Sequence, residues 1–205
     1  VVGIFFIAGL DMKILGGGLL SLVVAIVIVW NSGLIQPYQK TRITSFMNPE
    51  SDSSESGYQL RQSLISIGNG GILGLQGNAI TKENSVGYAA QYVPEVQTDF
   101  IFASIAEQWG FLGACFLLLL YGILISRMIA IARTAKDQFG SIICVGLVAY
   151  FLFALLQNIG MTIGLMPITG ITLPLISYGG TSLLTTVMSI GLILNVGMRR
   201  KKIYF

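Results

Sequence analysis

The sequence has no histidine, two cysteines and few charged residues, with 12 Lys and Arg and 9 Asp and Glu among 205 residues. Soluble domains carry about 25% charged residues, whereas this chain carries 10% and is 54% hydrophobic. Zinc sites are built mostly from His and Cys, and Cys115 and Cys144 both lie inside apolar runs, where Cys behaves as a small hydrophobe. The composition therefore argues against a metal site of that kind and against a disulfide. The sequence has no patch of basic and aromatic residues that would indicate nucleic-acid binding.

Long apolar runs are what the chain has instead, and its mean hydropathy is +0.78. Because a helical span needs about 20 apolar residues, we predict an all-α polytopic integral membrane bundle. The chain opens inside an apolar run with no basic region before it, which favours a fragment over a secretory signal. The predicted parts of this single membrane domain are the spans 1–10 (partial), 14–30, 99–126, 141–164 and 181–198, a large loop 31–98 and a Pro/Gly-rich connection 165–180.

Charge placement predicts the orientation. The 127–137 stretch carries Arg127, Arg133 and Lys136, and the C-terminal stretch 199–202 is entirely basic. Basic loops are retained in the cytoplasm, so we expect the C-terminus to be cytoplasmic. The loop 31–98 and the connection 165–180 would then lie on the outer side.

Asp99 is the most informative acid, because it stands at the start of an apolar span, where a charge is costly. One interpretation is that Thr98 or Asp99 caps the helix that follows. The other is that Asp99 moves a proton. Small residues recur on the same helical face, which permits close packing or leaves a groove; they are Ala103, Ala106, Gly110 and Gly113.

Glu107 is the one charged residue well inside a predicted span. An acid at that depth is expected to face the protein interior with a partner. A buried, hydrogen-bonded structural role is favoured over a functional one.

The segment 166–181 contains two prolines and three glycines, and it is predicted to interrupt the helical structure. Irregular backbone at membrane depth is buried in protein or lines a wet cavity. Two interpretations stay open here, a plain re-entrant turn and the wall of a substrate cavity near Asp99.

The glycine-rich stretch 68–74 lacks the spacing of a nucleotide-binding loop, and a flexible surface loop is predicted instead. Four cations of the outer loop could meet an anionic headgroup, although single cations are more often solvated; they are Lys40, Arg42, Arg61 and Lys82.

Several motifs resemble those of the SEDS family (shape, elongation, division and sporulation). They run in the expected order from Tyr38 to Ser182 and include Asn48-Pro-Glu-Ser-Asp52, Ile67-Gly-Asn-Gly-Gly71, Pro94-Glu-Val-Gln-Thr-Asp-Phe-Ile-Phe-Ala103, Ala106-Glu107 with Gly110, and Pro167 through Gly-Ile-Thr-Leu-Pro to Ser-Tyr-Gly-Gly-Thr-Ser182. Asn158-Ile-Gly-Met161 and the short basic tail look more like the RodA branch than the FtsW branch.

The resemblance implies the C-terminal part of a fold with about ten spans, each of about 20 residues. Family members polymerise lipid II into glycan strands at the outer face of the bacterial cytoplasmic membrane. They work with a class B penicillin-binding protein, which crosslinks the strands, and surrounding membrane lipids are further partners.

The family's essential acid falls on Asp99, which would accept a proton from the acceptor sugar. The residues expected to contact substrate are Arg42, Lys82, Glu95, Gln97, Thr98, Pro167, Ser177, Gly179 and Gly180. No organic cofactor is expected, and a divalent cation is one candidate, beside Arg42 and Lys82, for balancing the leaving pyrophosphate. Gln97 stands where the family often has His, and Leu75 where a Lys is common.

Two alternatives to the enzyme remain. One is a lipid II flippase, in which Asp99 and Glu107 line a polar path. The other is a non-catalytic scaffold that recruits the transpeptidase. A carboxylate at the membrane surface suits chemistry, whereas a translocation path needs polar groups at the midplane, where Glu107 alone is placed. The pattern therefore favours the enzyme.

Overall fold

The structure is a computed structural model that describes residues 12–32, 55–77 and 87–199. All regular structure in these ranges is helical, which confirms the predicted all-α class. The helices are α1 (Met12–Asn31), α2 (Glu55–Gly70), α3 (Gly74–Gly77), α4 (Tyr88–Tyr92), α5 (Ile101–Arg133), α6 (Gln138–Thr162) and α7 (Gly180–Met198).

Within the described ranges, three helices are long and apolar enough to cross a membrane, namely α5, α6 and α7. They contain 33, 25 and 19 residues. Helix α5 extends seven residues past the boundary at 126 expected from the charges, because the apolar run 128–132 resumes after Arg127. Arg127 and Arg133 therefore lie on the helix, and the connection to α6 is the short stretch 134–137. Asp137 caps α6 by accepting the backbone N–H of Gly140 at 3.1 Å.

The core lies where α5, α6 and α7 pack together. Phe151 of α6 and Ile193 of α7 are 1% and 2% exposed, and Leu173 of the connecting segment is fully buried among them. The hydroxyl of Tyr121 in α5 donates to the carbonyl of Pro174. The irregular chain between α6 and α7, residues 163–179, is thus anchored to the core of the bundle; we call it the 163–179 segment.

Helix α5 is broken at Gly110, whose backbone has φ 68° and ψ −166°. The N–H groups of Phe111 and Leu112, which lose their helical partners there, donate to the carbonyls of Gly71 (2.9 Å) and Ile72 (3.2 Å). The turn after α2 therefore docks against the break. The prediction of a flexible surface loop over 68–74 is wrong, because its glycines let two backbones approach closely.

Helix α2 is the main structured element within the stretch that the sequence marked as a loop. Its Leu60, Ser63 and Ser66 are buried at three-residue spacing, which is the inward face of an amphipathic helix. The Ser63 hydroxyl donates to the carbonyl of Thr162, at the end of α6, at 2.8 Å. Helix α2 therefore packs against the first part of α5, near Ala106, and against the end of α6.

Candidate functional site

A tight turn before α5 positions Asp99. Glu95 has φ +54°, in the left-handed region, and its carbonyl accepts the N–H groups of Thr98 (3.2 Å), Asp99 (3.1 Å) and Phe100 (3.3 Å). The Thr98 hydroxyl turns back to the Glu95 carboxylate at 2.9 Å. Helix α5 begins at Ile101 with Phe100 as its N-cap. The hypothesis that Thr98 or Asp99 is the N-cap is therefore wrong. The N–H groups of residues 98–100 bond to the Glu95 carbonyl, and the helix begins only after this turn.

The 163–179 segment docks on this turn through hydrogen bonds to successive carbonyls. The backbone N–H of Tyr178 donates to the carbonyl of Gln97 at 2.8 Å. The Ser177 hydroxyl donates to the carbonyl of Thr98 at 2.5 Å and accepts the N–H of Leu173 at 2.8 Å. Ser177 therefore joins the two stretches of chain.

The next carbonyl of the turn, that of Asp99, is bound by a side chain of α6. Asn158 donates from Nδ2 to the carbonyl of Asp99 at 2.9 Å and to the carbonyl of Ile171 at 2.8 Å. The half-buried Asp99 carboxylate lies against Gly170, where an added Cβ would stand 3.2 Å from Oδ2. The structure thus brings Asp99 and the Pro/Gly segment into direct contact.

Beside this turn lies an open groove of about 550 Å³. Four residues expected to contact substrate line it, namely Gln97, Ser177, Gly179 and Gly180. The other lining residues are mostly apolar: Ile101, Leu175, Ile176, Tyr178 and Leu183. Asp99 is not one of the lining residues, and it follows Gln97 by two positions in the same turn. A largely apolar wall with a few polar groups is typical of ligand sites.

The remaining predicted site residues are distributed differently. Glu95 is exposed and Thr98 half-buried, both in the turn before α5. Pro167 does not line the groove, and its carbonyl accepts Nε2 of Gln157 at 3.0 Å. Arg42 and Lys82 lie outside the described residues.

Glu107 is 1% exposed, and its carboxylate binds the backbone. Oε1 accepts the N–H of Tyr88 at 2.6 Å and Oε2 accepts that of Ala89 at 2.7 Å. These are the first two residues of α4, where N–H groups have no helical partner and a negative charge is favoured. Glu107 joins α4 to α5 in the protein interior.

Sequence reasoning missed Asn158 and Gly170 as parts of the site. A usable signal existed for the first, since Gln157 and Asn158 are adjacent amides in the stretch 138–198, which has no charged residue. Gly170 carries φ +71°, and nothing in its sequence position distinguishes it from the other glycines of the segment. In the part of the chain that the structure describes, no cluster of three or more His, Cys, Asp or Glu could hold a metal ion.

Apolar helices of membrane length and a polar turn beside an irregular connection define a polytopic helical membrane protein with a groove at one end of its bundle. The chain belongs to the SEDS family, because the FtsW/RodA/SpoVE family model, described as "Cell cycle protein", matches residues 1–202. This confirms the family inferred from the motifs, and it makes the chain a bacterial membrane protein.

Similar proteins carry the names of several branches of the family. The chain is 44% identical over 166 residues to Stage V sporulation protein E of Bacillus subtilis (strain 168), a match that covers 80% of this chain and 43% of that protein. It is 38% identical over 167 residues to Peptidoglycan glycosyltransferase RodA of Treponema pallidum (strain Nichols), covering 82% of this chain and 37% of the relative. The finer assignment to the RodA branch stays a prediction.

A solved structure shares the fold. It is described as "Structural coordination of polymerization and crosslinking by a peptidoglycan synthase complex" and superimposes with a TM-score of 0.77 at 32% identity, over 98% of this chain and 53% of the other. The chain thus spans about half the length of the proteins it matches.

Proposed function

We propose that this chain forms part of a peptidoglycan glycosyltransferase that polymerises lipid II, with Asp99 as the general base. The observation that carries the proposal is the placement of the Asp99 carboxylate against Gly170. Gln97, two positions before Asp99 in the same turn, lines the groove. Two further facts support it. The relative from Treponema pallidum is named a peptidoglycan glycosyltransferase, and the description of the matching structure speaks of polymerisation by a peptidoglycan synthase complex.

In the proposed reaction, Asp99 accepts the proton of the 4-hydroxyl of the acceptor sugar. That oxygen attacks the anomeric carbon of the donor, and the bond from this carbon to the pyrophosphate oxygen breaks. Undecaprenyl pyrophosphate leaves, and the anomeric centre is inverted. A positioned general base contributes roughly 10²–10⁴-fold to the rate, and holding the two substrates in line supplies a further part.

The groove fits an amphiphilic substrate. Its apolar wall, which includes Ile101, Leu175 and Leu183, suits a polyprenyl chain. Gln97 offers an amide that can bond a sugar but cannot take a proton. The positive charge for the pyrophosphate is assigned to Arg42 and Lys82, or to a divalent cation, and Glu95 is assigned to orienting the acceptor.

The proposed orientation places the site at the outer face of the bacterial cytoplasmic membrane, with the C-terminus in the cytoplasm. Helix α5 supports this orientation, because Asp99 precedes its first residue while Arg127 and Arg133 lie near its last. At about 1.5 Å per residue, the part of α5 after its break at Gly110, residues 111–133, is by itself long enough to cross a bilayer. A class B penicillin-binding protein is the proposed partner.

The flippase alternative needed Glu107 to line a polar path. Glu107 is instead 1% exposed, and its carboxylate accepts the backbone N–H groups of Tyr88 and Ala89. No observation on the described residues favours transport over chemistry.

The test uses the complete protein with its transpeptidase partner and purified lipid II. We expect Asp99→Asn to lower polymerisation by about 10²-fold or more. Asp137→Asn is the matched control, because Asn is an equally good N-cap and this residue lies at the far end of α5; it should polymerise at the wild-type rate. Wild-type polymerisation by Asp99→Asn would refute the proposed base. Movement of fluorescent lipid II that is lost in Asp99→Asn, without polymerisation by the wild type, would establish the flippase.

A further inference from the structure

Asn158 is a buried amide that joins two separate stretches of backbone. It lies in α6, is 0% exposed, and uses Nδ2 to donate to the carbonyls of Asp99 and Ile171. These partners stand 59 and 13 positions away in the chain. Both donors of one amide group are therefore used to bring the turn before α5 together with the 163–179 segment.

The two bonds hold the backbone that carries the carboxylate and the backbone next to the residue it faces. One holds the peptide that carries the Asp99 side chain. The other holds Ile171, whose neighbour Gly170 is the residue that the carboxylate touches. Asn158 thus supplies a side-chain donor to the carbonyl of Asp99.

We propose that Asn158 is a positioning residue for glycosyl transfer, holding the Asp99 peptide so that the carboxylate faces the attacking hydroxyl. The inference rests on the proposed function, because it acts only through Asp99. A general base has to lie within hydrogen-bond reach of the proton that it removes, and a misplacement of about 1 Å can cost about 10²-fold in rate. Asn158 thus determines turnover without contacting substrate.

The chain offers a closely matched control in the neighbouring residue. Gln157 is also a buried amide of α6, and it donates to a carbonyl of the same segment, that of Pro167. It makes no bond to the turn that carries Asp99. Comparing Asn158→Ala with Gln157→Ala therefore separates the positioning of Asp99 from the general loss of a buried amide.

The experiment measures kcat, KM and melting temperature of the complete protein with its partner and lipid II. For Asn158→Ala we expect kcat to fall by about 10- to 100-fold and KM to change by less than about threefold, because substrate contacts are retained. Gln157→Ala should keep kcat near the wild-type value, with a melting temperature lowered to a similar extent.

Equal kcat values for the two variants would overturn the inference, and so would a raised KM at unchanged kcat. If Asn158→Ala does not fold, Asn158→Ser takes its place, because it retains one hydroxyl donor. We expect a smaller fall in kcat for Asn158→Ser, with KM unchanged. A wild-type kcat in that variant would also overturn the inference. The proposed function fails separately, when Asp99→Asn itself polymerises normally. If Asp99→Asn loses activity while Asn158→Ala keeps a normal kcat, the proposed role of Asn158 is wrong and the proposed function stands.

Discussion

Asp99 and Gly170 lie against each other across the site, and a side chain at position 170 would crowd the carboxylate. A Cβ there would lie 3.2 Å from Oδ2 of Asp99, and Gly170 has φ +71°, which residues other than glycine rarely adopt. The carboxylate of the turn before α5 and the backbone of the 163–179 segment therefore depend on each other for their placement.

Gly170→Ala should lower both stability and turnover. The left-handed backbone costs about 1–3 kcal/mol for a residue with a side chain. The new methyl group crowds the carboxylate and shifts it slightly, so we expect polymerisation to fall by about 3- to 10-fold. Melting temperature and polymerisation of lipid II by the complete protein measure the two effects. Gly191→Ala in α7 is the control, because its Cβ meets no atom within 4 Å. Wild-type behaviour of Gly170→Ala would contradict this account of the contact.

Gly70→Ala should destabilise the contact between α2 and α5. Its Cβ would lie 2.1 Å from the carbonyl oxygen of Ala106 and 2.9 Å from Cα of Glu107, so backbone has to move. Overpacking of this kind costs about 1–3 kcal/mol. Gly68→Ala in the same helix meets nothing within 4 Å and should stabilise by up to about 1 kcal/mol. Thermal unfolding in detergent compares the pair, and equal melting temperatures would show that the helices do not approach this closely.

Glu107→Gln should lower stability without changing the chemistry. The amide replaces one of two acceptors with a donor that faces a backbone N–H, and leaving a buried group unsatisfied costs about 1–3 kcal/mol. We expect a lower melting temperature with unchanged turnover per folded molecule, the opposite of Asp99→Asn. Glu95→Gln, a change at an exposed acid, should shift the melting temperature little. Loss of turnover in fully folded Glu107→Gln would reopen a functional role for this acid.

Much of the fold could be predicted because it follows from local physics. A run of apolar residues without charge has one low-energy location and one backbone state in a bilayer, so α6 and α7 lie close to the predicted spans. The end of α5 was misplaced, since Arg127 reads as the start of a loop although the helix runs on to Arg133. The break at Gly110 was not predictable either, because it depends on the carbonyls of Gly71 and Ile72, which come from a distant turn.

The candidate site divides in the same way. Asp99 is conspicuous in the sequence because a carboxylate at the start of an apolar span is costly. The residues around Asp99 could not be recognised in the sequence, because they are distant in the chain. Ser177 bonds to Thr98 across 79 positions, and Asn158 bonds to Asp99 across 59. Pro167 lies outside the groove lining, with its carbonyl bonded to Gln157, and its contact with substrate stays a prediction.

By itself, the sequence determined that this is a helical membrane protein of the SEDS family, with an acid at the head of a span, because hydropathy and motif order are properties of the chain alone. The tertiary structure decided which residues surround that acid. Helix packing brings Asn158, Gly170 and Ser177 to the turn of Asp99, buries Glu107 against α4 and docks a glycine turn at Gly110. Those contacts join residues far apart in the chain, and they form only when buried polar groups find their partners in the packed bundle.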